Sequence, residues 1–356
     1  MTGLTIDERG AICLALQQFA QQAADVPVLF PDECPLHPGE QDFDQDWIRR
    51  LVQIRIPLEM FGTAMLAASP EIIRQHLQRS VHILEARGIA PEPLHRMLER
   101  LEQTVAGGLP NAGNAMMAEL ITAAHIWIDE AQGMVPAPFV TPSPHRQYLF
   151  FQAMLAGRRP DSLSIVNEAL DDGQPVMSIC TDLFQTGLYE VGRLWELHRI
   201  HVGQEHMATA VAQLAFSQLA LRAGPHPDFR PRGHAVVMGM QGEFHQFPGQ
   251  IVAALLEARG WEISYWGTAL PASTILVSLR QRKPRLLCIS LTLPDSLPKL
   301  YELLRQIRGD EELRAMRILA GGQAFENAPE AGRDLGADAS TPSLQQGLEW
   351  IDAWGL

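Results

Sequence analysis

From residue 234 onward, short apolar runs alternate with helix-like segments, and this alternation constrains the fold more than any other feature of the chain. The runs are HAVVMGM, EISYWG, RLLCISLT, RILAGG and ADAST, and stretches such as PGQIVAALLEARG separate them. Such alternation is typical of a parallel, doubly wound sheet. Ligands of these sheets bind beyond the carboxyl ends of the strands. The loops after HAVVMGM, EISYWG, RLLCISLT and RILA are therefore the places to look for a site.

The chain ahead of this region has the three- and four-residue apolar spacing of amphipathic helices. This spacing predicts helices over 6–24, 44–67, 70–87, 92–105 and 112–130, with a Pro/Asp-rich insertion over 26–46. Residues 147–222 predict a bundle of four helices with short loops, in which Gly157 and Gly173 stand at helix ends. Pro-rich stretches over 131–146 and 223–234 suggest boundaries. We therefore expect an all-α domain (1–135), a four-helix domain (147–225) and an α/β domain (231–356).

Composition excludes several classes of protein. The 356 residues are 46% hydrophobic and 19% charged, which is typical of globular domains rather than disorder, and the net charge of -13 argues against sequence-independent nucleic-acid binding. The cysteines are scattered without a CxxC pair, at Cys13, Cys34, Cys180 and Cys288. That pattern predicts neither a disulfide framework nor a zinc site, and it suits a reducing compartment. No apolar run approaches the roughly 20 residues of a membrane span, so we expect a cytoplasmic protein without direct nucleic-acid or membrane partners.

The chemistry-bearing residues of the α/β region follow its strands. Glu243 and His245 lie in the loop after HAVVMGM, and a carboxylate beside an imidazole can fix its tautomer and increase its basicity towards a metal. Ser290 and Thr292 place hydroxyls after RLLCI, and Gly321–Gly322 after RILA lets backbone approach a bulky ligand. A lone loop histidine would be read equally well as a solvated residue.

In this order, these residues resemble the cobalamin-binding domain, whose pattern is DxHxxG, then SxL or SxT, then GG. The resemblance implies that His245 ligates cobalt from below, while Ser290, Thr292, Gly321 and Gly322 line a slot for the nucleotide tail of the corrin. Glu243 replaces the Asp of the motif and keeps its carboxylate. Pro248 stands where the motif has Gly and is expected in the first turn of the next helix. The resemblance covers about 120 residues, and GxGxxG is absent after the first strand, which argues against dinucleotide binding.

The helical segment LYEVGRLWELHRIHVGQEHMATA is similar to the cap of the cobalamin photoreceptors, which carry Trp, nine residues, then Glu-His. Trp195 and Glu205–His206 have this spacing, and the resemblance implies that they face the 5′-deoxyadenosyl group of adenosylcobalamin. Taken singly, Trp195 could be a core residue and Glu205–His206 an exposed helix start. In some relatives a His follows the Trp and replaces the adenosyl ligand after light; Glu196 holds that position here, which leaves His198 or His201 as candidate upper ligands.

The N-terminal helical region is compatible with a globin-like fold and has the arrangement of the photocobilins, which add a biliverdin-binding helical domain to a cobalamin domain. The polar candidates for biliverdin are Cys34, His37, His76, His82, His95 and His125, each of which is also explained as a surface or satisfied core residue. We therefore expect a light sensor rather than an enzyme, whose homo-oligomeric state depends on light. The alternatives are a corrinoid methyl-carrier or methyltransferase subunit, and a cobalamin-responsive adaptor without photochemistry. The sequence does not identify a downstream partner.

Overall fold

The computed structural model describes residues 3–22, 55–143, 145–224 and 231–355. These residues form two compact units, and each is described separately. The first contains the described residues up to Val135 together with Asn327–Leu335, and the second contains Pro136–Glu326 and Gly336–Leu356. The residues on either side of the predicted break at 223–234 therefore belong to one unit.

The first unit is helical, as the apolar spacing predicts. Its N-terminal helices are α1 (Ile6–Gln22), α2 (Arg55–Leu66), α3 (Glu71–Glu85), α4 (Glu92–Val105) and α5 (Asn111–Ala131). Each of them turns an apolar stripe inward, as Leu94, Leu98 and Leu101 do on α4. The predicted insertion over 26–46 and the start of the predicted helix over 44–67 lie outside the described residues. The likeness to globins stays a prediction.

The second unit begins with the helical bundle. Its helices are α6 (Arg146–Leu155), α7 (Arg159–Asp171), α8 (Val176–Ile179), α9 (Thr186–Glu196) and α10 (Val202–Ala223). Gly157 and Gly173 follow α6 and α7 with φ of +69° and +77°. Glycine adopts this left-handed conformation without strain because it has no Cβ, so the prediction that both residues end helices is confirmed. The segment SICTDLFQTGLYEVGRLWELHR predicts one continuous helix over 178–199. Instead, a π-helical turn over Cys180–Gln185 joins α8 to α9, and the Thr186 hydroxyl donates to the Thr181 carbonyl at 2.9 Å.

The described part of the second unit also contains a five-stranded parallel sheet of order β2-β1-β3-β4-β5. The strands are β1 (Gly233–Gly239), β2 (Trp261–Tyr265), β3 (Leu286–Ser290), β4 (Arg317–Gly321) and β5 (Ala339–Thr341). The helices of this unit that follow them in the chain are α11 (Phe247–Glu257), α12 (Ala272–Arg282), α13 (Leu297–Gly309) and α15 (Leu344–Ala353). This confirms the doubly wound sheet. The short helix α14 (Ala331–Asp334) comes between β4 and β5 in the sequence but belongs to the first unit. In the strand register Gly239 pairs with Ser290, Ser290 with Gly321, and Gly321 with Thr341. These four residues therefore form one row at the carboxyl edge.

The bundle and the sheet share one hydrophobic core. Phe184 and Phe216 of the bundle and Phe247 of α11 meet edge to face, with ring centroids 5.2–5.9 Å apart, an arrangement that aromatic quadrupoles favour. Because the first turn of α11 supplies Phe247, this packing fixes the loop that joins β1 to α11. None of the described helices is long and apolar enough to cross a membrane.

A buried ion pair holds the first residues of the second unit against α9. Arg193 donates to Glu190 through Nε at 2.9 Å and Nη2 at 2.6 Å. Glu190 also accepts from the Phe139 backbone N–H at 2.9 Å, and Arg193 donates to the Pro136 carbonyl at 3.2 Å. The hydrogen bond to Glu190 raises the pKa of Arg193. The pair therefore satisfies both side chains and the incoming backbone at once.

Candidate functional site

The loop from β1 to α11 presents His245 on a buried carboxylate. The Glu243 side chain is fully buried, the His245 side chain is 48% exposed, and Glu243 Oε1 hydrogen-bonds to His245 Nδ1. The same oxygen accepts from the His245 backbone N–H at 3.2 Å. Because Nδ1 is engaged, the other ring nitrogen, Nε2, is the one left to ligate a metal.

Two backbone N–H groups after β3 hold the second oxygen of Glu243. Thr292 and Leu293 donate to Glu243 Oε2 at 2.9 and 3.2 Å. Burial acts to raise the pKa of Glu243, but the His245 ring and these two N–H groups outweigh it, and the pKa lies below its ordinary value. Glu243 is therefore an anion at neutral pH. Thr292 contributes its backbone N–H to this contact, and the predicted role of its hydroxyl towards the corrin tail stays a prediction.

Glycine and serine form the sheet edge next to this loop. Gly322 has a φ of +119°, and a Cβ there would lie 2.1 Å from the Leu291 carbonyl oxygen. Neighbouring Gly321 lies beside Ser290 in the register and ends β4. The backbone of Gly322 therefore packs directly against the backbone of Leu291, which a side chain at residue 322 would prevent. The predicted approach of Gly321–Gly322 to a bulky ligand stays a prediction.

Tyr265 and Gly249 also border this edge, and sequence reasoning missed both. A Cβ at Gly249 would lie 3.1 Å from Tyr265 Cε2 and 3.8 Å from Ser290 Cβ. Pro248 lies in the first turn of α11, as predicted, so the close packing that requires glycine falls one residue later than in the motif. The Tyr265 hydroxyl donates to the Gln246 carbonyl at 2.8 Å. A glycine beside the predicted first-turn proline was the available signal for this packing.

Trp195 and Glu205–His206 lie on two successive bundle helices. Trp195 is the second-last residue of α9 and is partly buried against the shared core. Glu205 and His206 lie in the first turns of α10, where Glu205 hydrogen-bonds to the His206 ring and accepts from the Thr209 hydroxyl at 3.2 Å. The His206 side chain is largely exposed. A carboxylate thus orients this imidazole, as Glu243 orients His245.

The other histidines between α9 and α10 have different surroundings. His201 caps α10: its Nδ1 accepts from the Gln204 N–H at 3.3 Å, and Gln204 Oε1 accepts from the His201 N–H at 3.2 Å. His198 is exposed in the turn, with a φ of +54°. Within the described residues, no group of three or more His, Cys, Asp or Glu could hold a metal ion. The three histidines of WELHRIHVGQEH are thus not one metal cluster, and the upper-ligand role of His198 or His201 stays a prediction.

The polar candidates of the first unit divide into three sets. His95 and His125 stack with Nδ1 atoms 2.7 Å apart, and Asp129 lies 3.3 Å from His95 Nε2. His76 has a buried Nε2 atom without a hydrogen-bond partner, and burial lowers its pKa to about 4, with a contribution from Arg79. His82 lies six residues further along α3. Cys34 and His37 lie outside the described residues.

The geometry around Glu243 and His245 suits one class of ligand. A corrin supplies the equatorial ligands of its cobalt and needs only an axial donor from the protein, which the exposed edge of His245 offers. The fold and the site together therefore define a corrinoid-binding protein.

Comparison with known proteins agrees with this class. Residues 149–220 and residues 233–341 each match a family described as B12 binding domain. A methanol–corrinoid protein of Methanosarcina barkeri is 24% identical over 140 residues, which are 39% of this chain and 54% of that protein. The chain thus spans about half the length of this relative. These matches support cobalamin binding by this part of the chain.

Solved structures share the fold. The Methanosarcina barkeri monomethylamine corrinoid protein aligns with a TM-score of 0.51 at 19% identity, over 57% of this chain and 94% of that chain. A cobalamin-binding protein from Desulfitobacterium hafniense aligns over 58% of this chain and 98% of its own at 19% identity, with a TM-score of 0.33. The first alignment shows a common fold; the second is too weak to add to it.

Proposed function

We propose that this protein is a light sensor that holds adenosylcobalamin between the helical bundle and the sheet. The observation that carries the proposal is the placement of Trp195 and the carboxylate-oriented His206 at the adjoining ends of α9 and α10, in the same compact unit as Glu243 and His245. In this arrangement His245 lies on the lower face of the corrin and His206 on its upper face.

On the sheet side, His245 is the lower axial ligand. Glu243 holds the Nδ1 proton, which orients the ring and increases the basicity of Nε2. Ser290, Thr292, Gly321 and Gly322 border the slot for the nucleotide tail. A side chain at Gly322 would clash with the Leu291 carbonyl and so displace the two strand ends that border this slot.

On the bundle side, Trp195, Glu205 and His206 contact the adenosyl group. Bound adenosylcobalamin supplies a Co–C bond that visible light breaks. Trp195 and His206 would contact the intact cofactor and would lose these contacts after photolysis, so the protein would bind the two cofactor states with different free energies. We expect the bundle arrangement and the self-association of the chain to change with them.

A second chromophore, biliverdin, is proposed for the first unit. The paired rings of His95 and His125 and the buried Nε2 of His76 are polar groups that an open-chain tetrapyrrole could engage. Incubation with biliverdin should add red or far-red absorption bands. If no such band appears, the first unit has another role, such as dimerisation.

The second candidate is a corrinoid methyl-carrier or a methyltransferase subunit. It is favoured by the relatives, two of which are named corrinoid proteins. In that case the upper face would have to admit a methyl donor, and Trp195 and His206 would have no photochemical role. A light response of the protein therefore separates the two functions.

The decisive experiment compares the full chain loaded with adenosylcobalamin or with hydroxocobalamin, in the dark and after green light. Free adenosylcobalamin is itself photolysed, so the readout is the protein: its scattering profile and sedimentation coefficient. We expect a light-induced change only in the adenosylcobalamin sample. Trp195→Phe should reduce the change, and Trp354→Phe, also a partly buried Trp of this unit, should not. An identical protein before and after light overturns the sensor.

The lower ligand has its own test. His245→Ala should weaken cobalamin retention or alter the absorption spectrum of the bound cofactor. His234→Ala is the matched control, because His234 lies at the start of β1 and bonds to the Ser264 hydroxyl at 2.9 Å. An unchanged spectrum in His245→Ala removes His245 from the axial position.

A further inference from the structure

The outward face of α10 carries no charged residue over most of its length. Glu205 and Arg222 are the ionic residues of this 22-residue helix, and none of the sixteen residues between them is Asp, Glu, Lys or Arg. Solvent-facing helix surfaces ordinarily carry charged side chains. Three large apolar residues instead stand exposed on this face: Met207 at 39%, Leu214 at 42% and Leu221 at 81%.

These exposed residues form one seam. Met207, Leu214 and Leu221 are seven residues apart, and the small residues Gly203, Ala210 and Ser217 are exposed between and beside them. His206 and Arg222 are exposed next to the two ends of this row. The six positions alternate in steps of four and three, which is the spacing of the contact residues in a coiled coil. Over 19 residues this seam is about 27 Å long, at 1.5 Å per residue. The Ser217 hydroxyl bonds to the Gln213 carbonyl at 2.8 Å, so it can be covered without losing a partner.

The order of large and small residues makes the seam complementary to itself. When two copies of α10 pack antiparallel about the middle of the seam, Leu221 faces Gly203, Met207 faces Ser217, and Leu214 faces Ala210. Each large side chain thus meets a small one, which allows close packing. In a parallel pair, each residue would face its own copy, and Leu would oppose Leu while Gly opposed Gly.

Charge does not decide the orientation. Arg222, in the last turn of α10, already pairs with Asp171 at 2.6 Å and donates to Asn167 at 2.8 Å, and Glu205, in the first turn, hydrogen-bonds to the His206 ring. The antiparallel orientation therefore rests on the order of large and small residues.

We propose that the seam of Gly203, Met207, Ala210, Leu214, Ser217 and Leu221 docks against the same seam of a second copy, with the two α10 helices antiparallel. The partner is this chain itself, and the interface is isologous. A stable interface buries at least about 1,000 Å², which a single helix pair only approaches. The dimer is therefore concentration-dependent. The proposal supplies a surface for the self-association named above, but it requires no light.

Sedimentation of the full chain over a concentration series, in the dark, tests the proposal. The wild type should approach twice its 39.5 kDa mass as concentration rises. Leu214→Glu should raise the dimer dissociation constant at least about tenfold, because it places an unpaired charge in the contact. The control is Val277→Glu on α12, since Val277 is 49% exposed and lies outside the seam. A monomeric wild type, or a Leu214→Glu variant that associates like the wild type, overturns the proposal.

Cross-linking tests the orientation. A tagged chain with Ala210→Cys is mixed with an untagged chain with Leu214→Cys, both in a Cys34→Ser background; Cys13, Cys180 and Cys288 are buried. Oxidation should join the two different chains in preference to identical ones. Preferential joining of identical chains would indicate a parallel pair and would overturn the antiparallel seam. Because this experiment needs no cofactor, its outcome is independent of whether the protein responds to light.

Discussion

Phe216 of α10 and Phe247 of α11 meet edge to face with ring centroids 5.2 Å apart, and both rings are buried. Phe247 comes two residues after His245, so the contact joins the helix that carries Glu205 and His206 to the loop that carries the proposed cobalt ligand. This one aromatic contact therefore positions the residues proposed for both faces of the corrin relative to each other.

A double-mutant cycle on Phe216 and Phe247 measures the interaction free energy between the two rings. Phe216→Leu and Phe247→Leu should each lower the free energy of unfolding of the second unit by about 1–3 kcal/mol. The edge-to-face contact should give a coupling of about 0.5–1.5 kcal/mol. Urea unfolding of the wild type, the two single variants and the double variant gives this coupling energy. Phe216→Leu combined with Leu303→Ala on α13 is the control, because Leu303 is buried outside this core; strictly additive effects in both pairs would contradict the coupling.

Glu243→Gln should lower the free energy of unfolding by about 1–3 kcal/mol at neutral pH, because charged hydrogen bonds to His245, Thr292 and Leu293 become neutral or are lost. The folded-state pKa of Glu243 lies below its ordinary 4.5. Its stabilisation is therefore present above pH 4.5 and is lost as the pH falls through the folded-state pKa. Urea unfolding at a series of pH values should show the wild type and the variant converging in that acid range.

The control for this pH dependence is Glu262→Gln, which changes an exposed carboxylate on β2. Its unfolding free energy should follow the wild type at every pH. A constant difference between wild type and Glu243→Gln down to the acid limit would show that the charge of Glu243 is not what stabilises the loop.

Gly322→Ala should destabilise the second unit by about 3 kcal/mol or more, since the new Cβ would combine a left-handed φ with a clash against the Leu291 carbonyl. Gly267→Ala separates the two causes. Gly267 has a φ of +68° but nothing within 4 Å of the added Cβ, so it should cost only about 1–2 kcal/mol. Thermal unfolding of both variants measures the two losses of stability. Equal losses would mean that the clash with the Leu291 carbonyl adds nothing to the cost of the left-handed φ.

Local sequence signatures predicted the strands, their parallel arrangement and several candidate site residues. Apolar runs indicated the strands, a carboxylate next to a histidine indicated Glu243 and His245, and a doubled glycine indicated Gly321–Gly322. The N–H groups of Thr292 and Leu293 could not be predicted, because every residue except proline has a backbone donor and only the folded chain shows where it points. The same holds for the hydrogen bond from Tyr265 to Gln246.

The helix after Gly173 shows a second limit of sequence reasoning. Helical spacing tolerates the one-residue expansion of a π turn, so Cys180–Gln185 carries no periodic signal that separates it from a regular helix. The Glu190–Arg193 pair at i,i+3 looks like an ordinary surface pair in the sequence. Its burial becomes visible only when Pro136 and Phe139 pack over it.

His76 predicts an acid sensitivity of the first unit. Burial, with a smaller contribution from Arg79, lowers the pKa of its imidazole from 6.5 to about 4, and its Nε2 has no hydrogen-bond partner. Between these two pH values the unfolded chain binds a proton that the folded chain does not, so stability should fall as the pH is lowered from 6.5 towards 4, by up to about 3 kcal/mol. His76→Leu should remove this slope in urea unfolding experiments. His145→Leu, which changes an exposed histidine of the second unit, should keep it, and an unchanged slope in His76→Leu would assign the acid sensitivity to other groups.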